Sequence, residues 1–295
     1  MKAFRTLLVD AIDYAGLFPP AQLDMDAAIR EYAAGRVSGN AWALGRFVVP
    51  ANRLAEFAEA VAPLLIEAPQ APWLVAATGA GNPAADLAAI EALAALLPQD
   101  QVRLDTVEFR APTVEALVDA LAVFPRALTR FAELPLGVDL LPFVAVLKFR
   151  GASAKFRTGG VTPDAFPEPD DLLRALDAVL RAAVPFKCTA GLHHPLRGRY
   201  RLSYAPESDT AMMYGYLNVM LAAAALHQGC GMDAARAILL ETDPAAFSVG
   251  EEAVAWHEVS FDRDLMRALR RRGMRSFGSC SFREPLDELA PFTTP

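Results

Sequence analysis

The feature that most constrains this chain is its rhythm. Short apolar runs alternate with longer segments in which apolar residues recur every three and four positions. The runs fall at 7–11, 47–50, 73–78, 106–111, 130–134, 154–159, 186–190 and 275–280. Helical patterns lie between them at 26–35, 53–67, 83–97, 114–124, 138–149, 169–183 and 212–228. Apolar spacing of three and four marks the buried stripe of a helix, and short runs bounded by turn residues mark buried strands. Strand–helix alternation repeated in this way predicts a parallel sheet with helices packed outside it.

Eight strands in 295 residues predict an α/β fold of the (β/α)8, or TIM barrel, type, for which about 250 residues is usual. An open, doubly wound sheet would carry a glycine-rich phosphate turn after its first strand. Here that position reads Ala11-Ile12-Asp13-Tyr14-Ala15-Gly16-Leu17-Phe18-Pro19-Pro20, with no GxGxxG, which disfavours a dinucleotide cofactor. No linker rich in Pro, Gly or Ser divides the chain. We therefore read 1–295 as one barrel domain, with 192–273 as an elaboration between strands seven and eight.

Composition narrows the functional classes. Hydrophobic residues at 54% and charged residues at 21% suit a large packed core. The formal net charge of −7 lacks the basic footprint of a nucleic-acid binder. The first 16 residues carry no long apolar core before Asp10 and Asp13, so no signal peptide is expected. The longest apolar stretch, 211–226, contains Asn218 and falls short of a membrane span. A soluble, cytoplasmic protein without membrane contacts is the expectation. Cys188, Cys230 and Cys280 show neither CxxC nor zinc-ligand spacing, so no disulfide framework is expected.

Of the 28 lysines and arginines only four are lysine: Lys2, Lys148, Lys155 and Lys187. This bias, with the abundant alanine, is that of a GC-rich coding sequence. It makes a lysine inside a strand informative. Side chains alternate across a strand. In 154–158 Phe156 suits the helix layer, which turns Lys155 and Arg157 inward. In 186–189 the same argument turns Lys187 and Thr189 inward, and in 107–110 it turns Glu108 and Arg110 inward. Burying ions costs several kcal/mol each. Charges gathered at the C-terminal ends of barrel strands read as an active site, and the alternative is an internal salt-bridge network. Neighbouring cations in a dry site lower each other's pKa. A lysine so depressed can attack a carbonyl. The same lysines could instead hold a phosphate or carboxylate as point charges.

The two strands read Lys155-Phe156-Arg157-Thr158-Gly159-Gly160 and Lys187-Cys188-Thr189-Ala190-Gly191. Lys-x-x-Thr-Gly followed by Lys-x-Ser/Thr-x-Gly resembles the strands of deoxyribose-phosphate aldolase and related Schiff-base barrel enzymes. The resemblance covers 154–191. It implies that Lys155 forms the imine, that Lys187 tunes it, and that Gly191 belongs to the approach of a phosphate. Arg157 stands where that family carries a small residue.

Other candidates complete the site expected from sequence. His193 and His194 follow strand seven, and histidine is the natural proton shuttle near pH 7. Gly159, Gly191 and Ser279 could bring backbone and hydroxyl donors to a ligand, as phosphate sites in barrels often do after strands seven and eight. Thr158 and Thr189 join Arg157 and Arg110 as substrate-binding candidates. No cofactor is expected. The alternative is a divalent metal on Asp10, Glu108 and Glu133, and Asp13 is paired with Asp10 as a second acid/base or ligand candidate. The expected partner is a small anionic carbonyl substrate, and the expected reaction is aldolase-like cleavage or an enolate isomerisation. The rival outside enzymology is a non-catalytic binding barrel. In it Met212-Met213-Tyr214-Gly215-Tyr216 would be core or the contact of a homo-oligomer.

Overall fold

A computed structural model describes residues 2–65, 71–289 and 292. The chain opens with a helix where a strand is expected at 7–11. In α1 (Lys2–Leu8) the buried Ala3, Phe4, Leu7 and Leu8 form one apolar face. That spacing suits a helix better than a strand. Asp10 then takes a left-handed φ of 50° and breaks the helix, and strand β1 runs only over Ile12–Tyr14.

The remaining barrel strands follow in order. They are β2 (Leu44–Pro50), β3 (Trp73–Thr78), β4 (Val102–Arg110), β5 (Thr129–Glu133), β6 (Ser153–Arg157) and β7 (Phe186–Thr189). Outside them run α2 (Met25–Arg36), α3 (Leu54–Leu65), α4 (Pro83–Leu96), α5 (Val114–Val123), α6 (Leu141–Arg150) and α7 (Pro169–Arg181). The last two positions of the helix expected at 53–67 lie outside the described residues. Several helix starts are written in the sequence: Asp24, Asn82 and Thr113 each cap a helix by accepting a backbone N–H with the side chain.

The stretch from residue 192 to 273 is an elaboration. It holds the hairpin β8 (Gly198–Arg201) and β9 (Thr210–Met213), then α8 (Tyr216–Gln228) and α9 (Met232–Leu240). A three-stranded antiparallel sheet follows, β10 (Phe247–Val249), β11 (Ala253–Trp256) and β12 (Val259–Asp262), and then α10 (Arg263–Arg272). The helix expected at 212–228 therefore begins four residues late: 212–213 pair in the hairpin and Gly215 precedes the helix. The eighth barrel strand is β13 (Met274–Ser279), and α11 (Glu284–Asp287) follows it.

The eight strands close a parallel barrel in the order β1-β13-β7-β6-β5-β4-β3-β2. The fold is an α/β (β/α)8 barrel. Neighbouring helices touch in turn from α2 to α8, α8 touches α10, and α10 touches α1. α8 is apolar on every side because α7, α9 and α10 all cover it. Its one buried amide, Asn218, is satisfied: Nδ2 donates to the carbonyls of Ile238 and Glu241, and Oδ1 accepts from the N–H of Arg197. One large apolar cluster fills the space between strands and helices, and a small satellite of Leu202, Ala211 and Met213 lies under the hairpin. Among the described residues no helix is long and apolar enough to cross a membrane.

Candidate active site

The barrel interior is polar. Phe156 and Phe186 turn outward and pack on each other, ring centroids 6.0 Å apart, so their strand neighbours turn in. Register then sets Glu133, Lys155 and Lys187 side by side on β5, β6 and β7. Lys187 Nζ lies 2.6 Å from Glu108 Oε1 and also donates to Asp13 Oδ2. Asp13 accepts in addition from Ser276 Oγ and from the backbone N–H of Arg46. The other oxygen of Glu108, Oε2, is 2.9 Å from Lys155 Nζ, which reaches Glu133 Oε2 at 3.0 Å. Glu133 then meets Arg157 Nε at 3.1 Å and Arg110 Nε at 3.7 Å. The result is a chain of alternating charge, running from Asp13 on β1 to the arginines at the mouth.

Three carboxylates face four cationic heads here, which leaves one positive charge in excess. Burial pushes the Glu108 carboxyl up, but the two ammonium groups outweigh it and hold it down at about 2. Burial likewise opposes, and Lys155 and Arg157 overcome, the shift at Glu133, which ends below the ordinary carboxylate range. Lys187 corrects the sequence argument. Burial alone would lower its pKa, yet Asp13 and Glu108 raise it. The two lysines do not face each other bare, because Glu108 stands between them.

These residues floor a cavity of about 470 Å³ at the C-terminal end of the strands. Its walls include Glu108, Arg110, Glu133, Lys155, Arg157, Lys187, Thr189 and His193, together with the apolar Phe18, Pro19, Val48 and Val161. His193 is nearly buried, its Nδ1 3.3 Å from Ser279 Oγ and 3.7 Å from Cys280 Sγ. Burial, with His194 beside it, lowers its pKa to about 4, so the ring is neutral at pH 7. Burial raises the Cys280 thiol to about 11.

Other expected residues lie elsewhere. His194 turns away from this cavity, stacks on Tyr200 with centroids 3.5 Å apart, and sets Nδ1 2.9 Å from both oxygens of Glu288. Thr158 is buried and donates to the carbonyls of Thr189 and Ala190, tying β6 to β7. Gly159 and Gly191 are close to one another: a Cβ on either would meet the other's Cα at 3.0 Å and the Phe166 ring closer still. Their small size is explained by packing. Ser279 reaches the cavity only through His193. Asp10 precedes β1, at the opposite end of the barrel from Glu108 and Glu133, where burial raises its pKa against the pull of Arg270 and Arg46. The trio Asp10, Glu108 and Glu133 thus does not assemble. Among the described residues the group able to hold a metal ion is instead His194, Glu284 and Glu288.

Two members of the network were weakly marked in sequence. Asp13 was visible as a carboxylate inside a strand, once the first strand is moved to start at Ile12. Ser276 could have been found by counting back two residues from Gly278 on the inward phase of β13.

The fold and cavity define a class: a (β/α)8 barrel with a charged cavity at the C-terminal ends of its strands, the face where barrel active sites lie. No protein-family model, no curated protein and no solved structure matches the chain.

Proposed function

We propose that this barrel is an enzyme that acts on a small anionic carbonyl compound through the amine of Lys155, with an aldolase-like lyase reaction as its chemistry. One observation carries the reading. Lys155 Nζ lies on the cavity floor between two carboxylates, at 2.9 and 3.0 Å, either of which is in reach to take its proton. A barrel interior built for stability alone would fill these positions with Val, Ile and Leu. The excess positive charge and the half-exposed Arg157 favour an anionic substrate.

In this reading the amine adds to the carbonyl carbon. Counted from the ammonium form, nitrogen loses two of its three hydrogens, both leave on the carbonyl oxygen as water, and the third stays on a protonated imine. That cation draws the electrons of the bond between its α and β carbons: a β-hydroxyl gives its proton to a base such as His193, the β carbon leaves as an aldehyde, and an enamine remains. Lys187, kept protonated by Asp13 and Glu108, holds negative charge near the reacting oxygen. His193, neutral at pH 7, is a proton donor or acceptor at the cavity wall.

The test is reductive trapping. The protein is incubated with short oxo acids and neutral aldehydes under borohydride, and adducts are located by mass spectrometry. The expected outcome is an adduct on Lys155 that is absent from Lys155→Ala. No adduct with any carbonyl compound would overturn the reading. Activity that needs an added divalent metal would replace it with metal chemistry.

A further inference from the structure

The network poses a problem for any amine chemistry at Lys155. Its Nζ lies 2.9 and 3.0 Å from two carboxylates, and a nitrogen that carries a third proton has no lone pair with which to attack. Glu108 is a poor proton acceptor, since each of its oxygens is already committed to a lysine. Glu133 differs. It shares Lys155 with Glu108, but its other partners are the two arginines at the mouth. Arg157 is 42% exposed and Arg110 is 78% exposed, so both can exchange a carboxylate partner at little cost.

We infer that Glu133 is a catalytic base switched on by the substrate: the substrate's carboxylate replaces that of Glu133 on Arg157 and Arg110, and Glu133, left with Lys155, takes its proton. The inference rests on Lys155 being the reacting amine. It also names the substrate class. One carboxylate group now touches Lys155 through Oε2 and Arg157 through Oε1. A carbonyl and a carboxylate separated by one or two bonds span a similar gap, which describes a short 2-oxo or 3-oxo carboxylate. A sugar phosphate fits less well, because the glycines that would have let a phosphate approach, Gly159 and Gly191, are filled by each other and by Phe166.

A second cavity, of about 480 Å³, continues past the same arginines. It shares Arg110, Glu133 and Arg157 with the first and adds Leu134, Pro135, Leu136 and Pro167. The arginines stand at the junction, within reach of a carboxylate entering from either side. Proton accounting is closed: Lys155 gives one proton to Glu133, the amine adds to the carbonyl, a second nitrogen proton passes to the oxygen, and Glu133 returns the first to it as water leaves, so that the imine nitrogen keeps the third.

The switch can be read without turnover. Lys155 is dimethylated with formaldehyde and borohydride, and its rate is followed by mass spectrometry with and without acetate or propionate. These saturated carboxylates offer the anion but no carbonyl. We expect labelling of Lys155 to rise at least tenfold with the carboxylate. In Glu133→Gln and in Arg157→Met the response to the anion is expected to disappear. Inorganic phosphate is expected to act more weakly than propionate.

Unchanged or slower labelling with propionate in the wild-type protein would overturn the inference, as would an undiminished response in Glu133→Gln. The two readings separate cleanly. Imine trapping that is equally fast with neutral aldehydes and oxo acids, without anion acceleration, sinks the switch and leaves the amine chemistry standing. Anion-accelerated methylation with no imine from any oxo acid sinks the oxo-acid reaction and leaves the proton transfer from Lys155 to Glu133 standing.

Discussion

His193 carries a pH signature of its own. Its ring is almost wholly enclosed, and burial followed by repulsion from His194 takes its pKa from 6.5 to about 4. The folded state therefore stays neutral where the unfolded chain already binds a proton. Stability must rise with pH across that window and be lost as pH falls through it. The difference between 6.5 and about 4 converts to about 3 kcal/mol at full extent. Urea unfolding at pH 7.5 and 4.5 measures it. Wild type should lose about 2–3 kcal/mol more between these two conditions than His193→Gln, because carboxylate titrations are common to both proteins and cancel. Equal losses in the two proteins would show that the ring is hydrated in the folded state. Glu108 contributes in a lower window. Its depressed pKa means that its share of stability is complete above the ordinary value of 4.5 and is lost only as pH falls toward about 2.

At the scale of elements, the contact between the ends of β6 and β7 depends on two glycines and one ring. Gly191 has a φ of +74°, and a Cβ there would lie 2.9 Å from Phe166 Cε1; on Gly159 it would lie 2.5 Å from the same atom. Gly159→Ala and Gly191→Ala should each destabilise by roughly 1–3 kcal/mol through overpacking. Phe166→Leu should restore most of the loss in Gly159→Ala in a urea melt, leaving the close contact with the Gly191 backbone. It should restore Gly191→Ala only in part, because a left-handed alanine still costs about 1–2 kcal/mol. Both glycines were legible as special positions, but their purpose was not, since a glycine facing a ligand and a glycine facing a ring read alike in one dimension. The inward phase of Lys155, Arg157, Lys187 and Glu108 was legible, because Phe156 and Phe186 can occupy only the helix layer. The first strand was not. The run from Leu7 to Ala11 is apolar enough for either structure, and the deciding fact is tertiary: α1 buries Phe4 and Leu7 beside α10, more than 250 residues away in the chain. The hairpin before α8 was hidden for a related reason. Ala211 and Met213 have the apolar character of the helix that follows, and only their pairing with Gly198–Arg201 makes them a strand.

Over the whole molecule two cores divide the labour. The layer between strands and helices is apolar and continuous and holds the fold by burial. The barrel interior is ionic, with Asp13, Glu108 and Lys187 almost fully enclosed. Such a network stabilises little relative to apolar packing, because desolvation of each ion offsets most of the attraction, yet breaking it at one point leaves a buried charge unpaired. These statements give opposite signs for single and multiple substitutions. Lys187→Met alone leaves Asp13 without its cation and Glu108 with Lys155 only, and should cost about 3–5 kcal/mol. The combined Asp13→Asn, Glu108→Leu, Lys155→Met and Lys187→Met variant removes two charges of each sign. It leaves Glu133 with its arginines and should be neutral or more stable by about 1–4 kcal/mol. Urea unfolding followed by circular dichroism compares the two variants with wild type. A fourfold variant less stable than Lys187→Met would make the ion chain a structural element in its own right. The expected order, with the fourfold variant at or above wild type and imine trapping abolished, would mean that the interior charges are retained for chemistry at a cost in stability, as an active site requires.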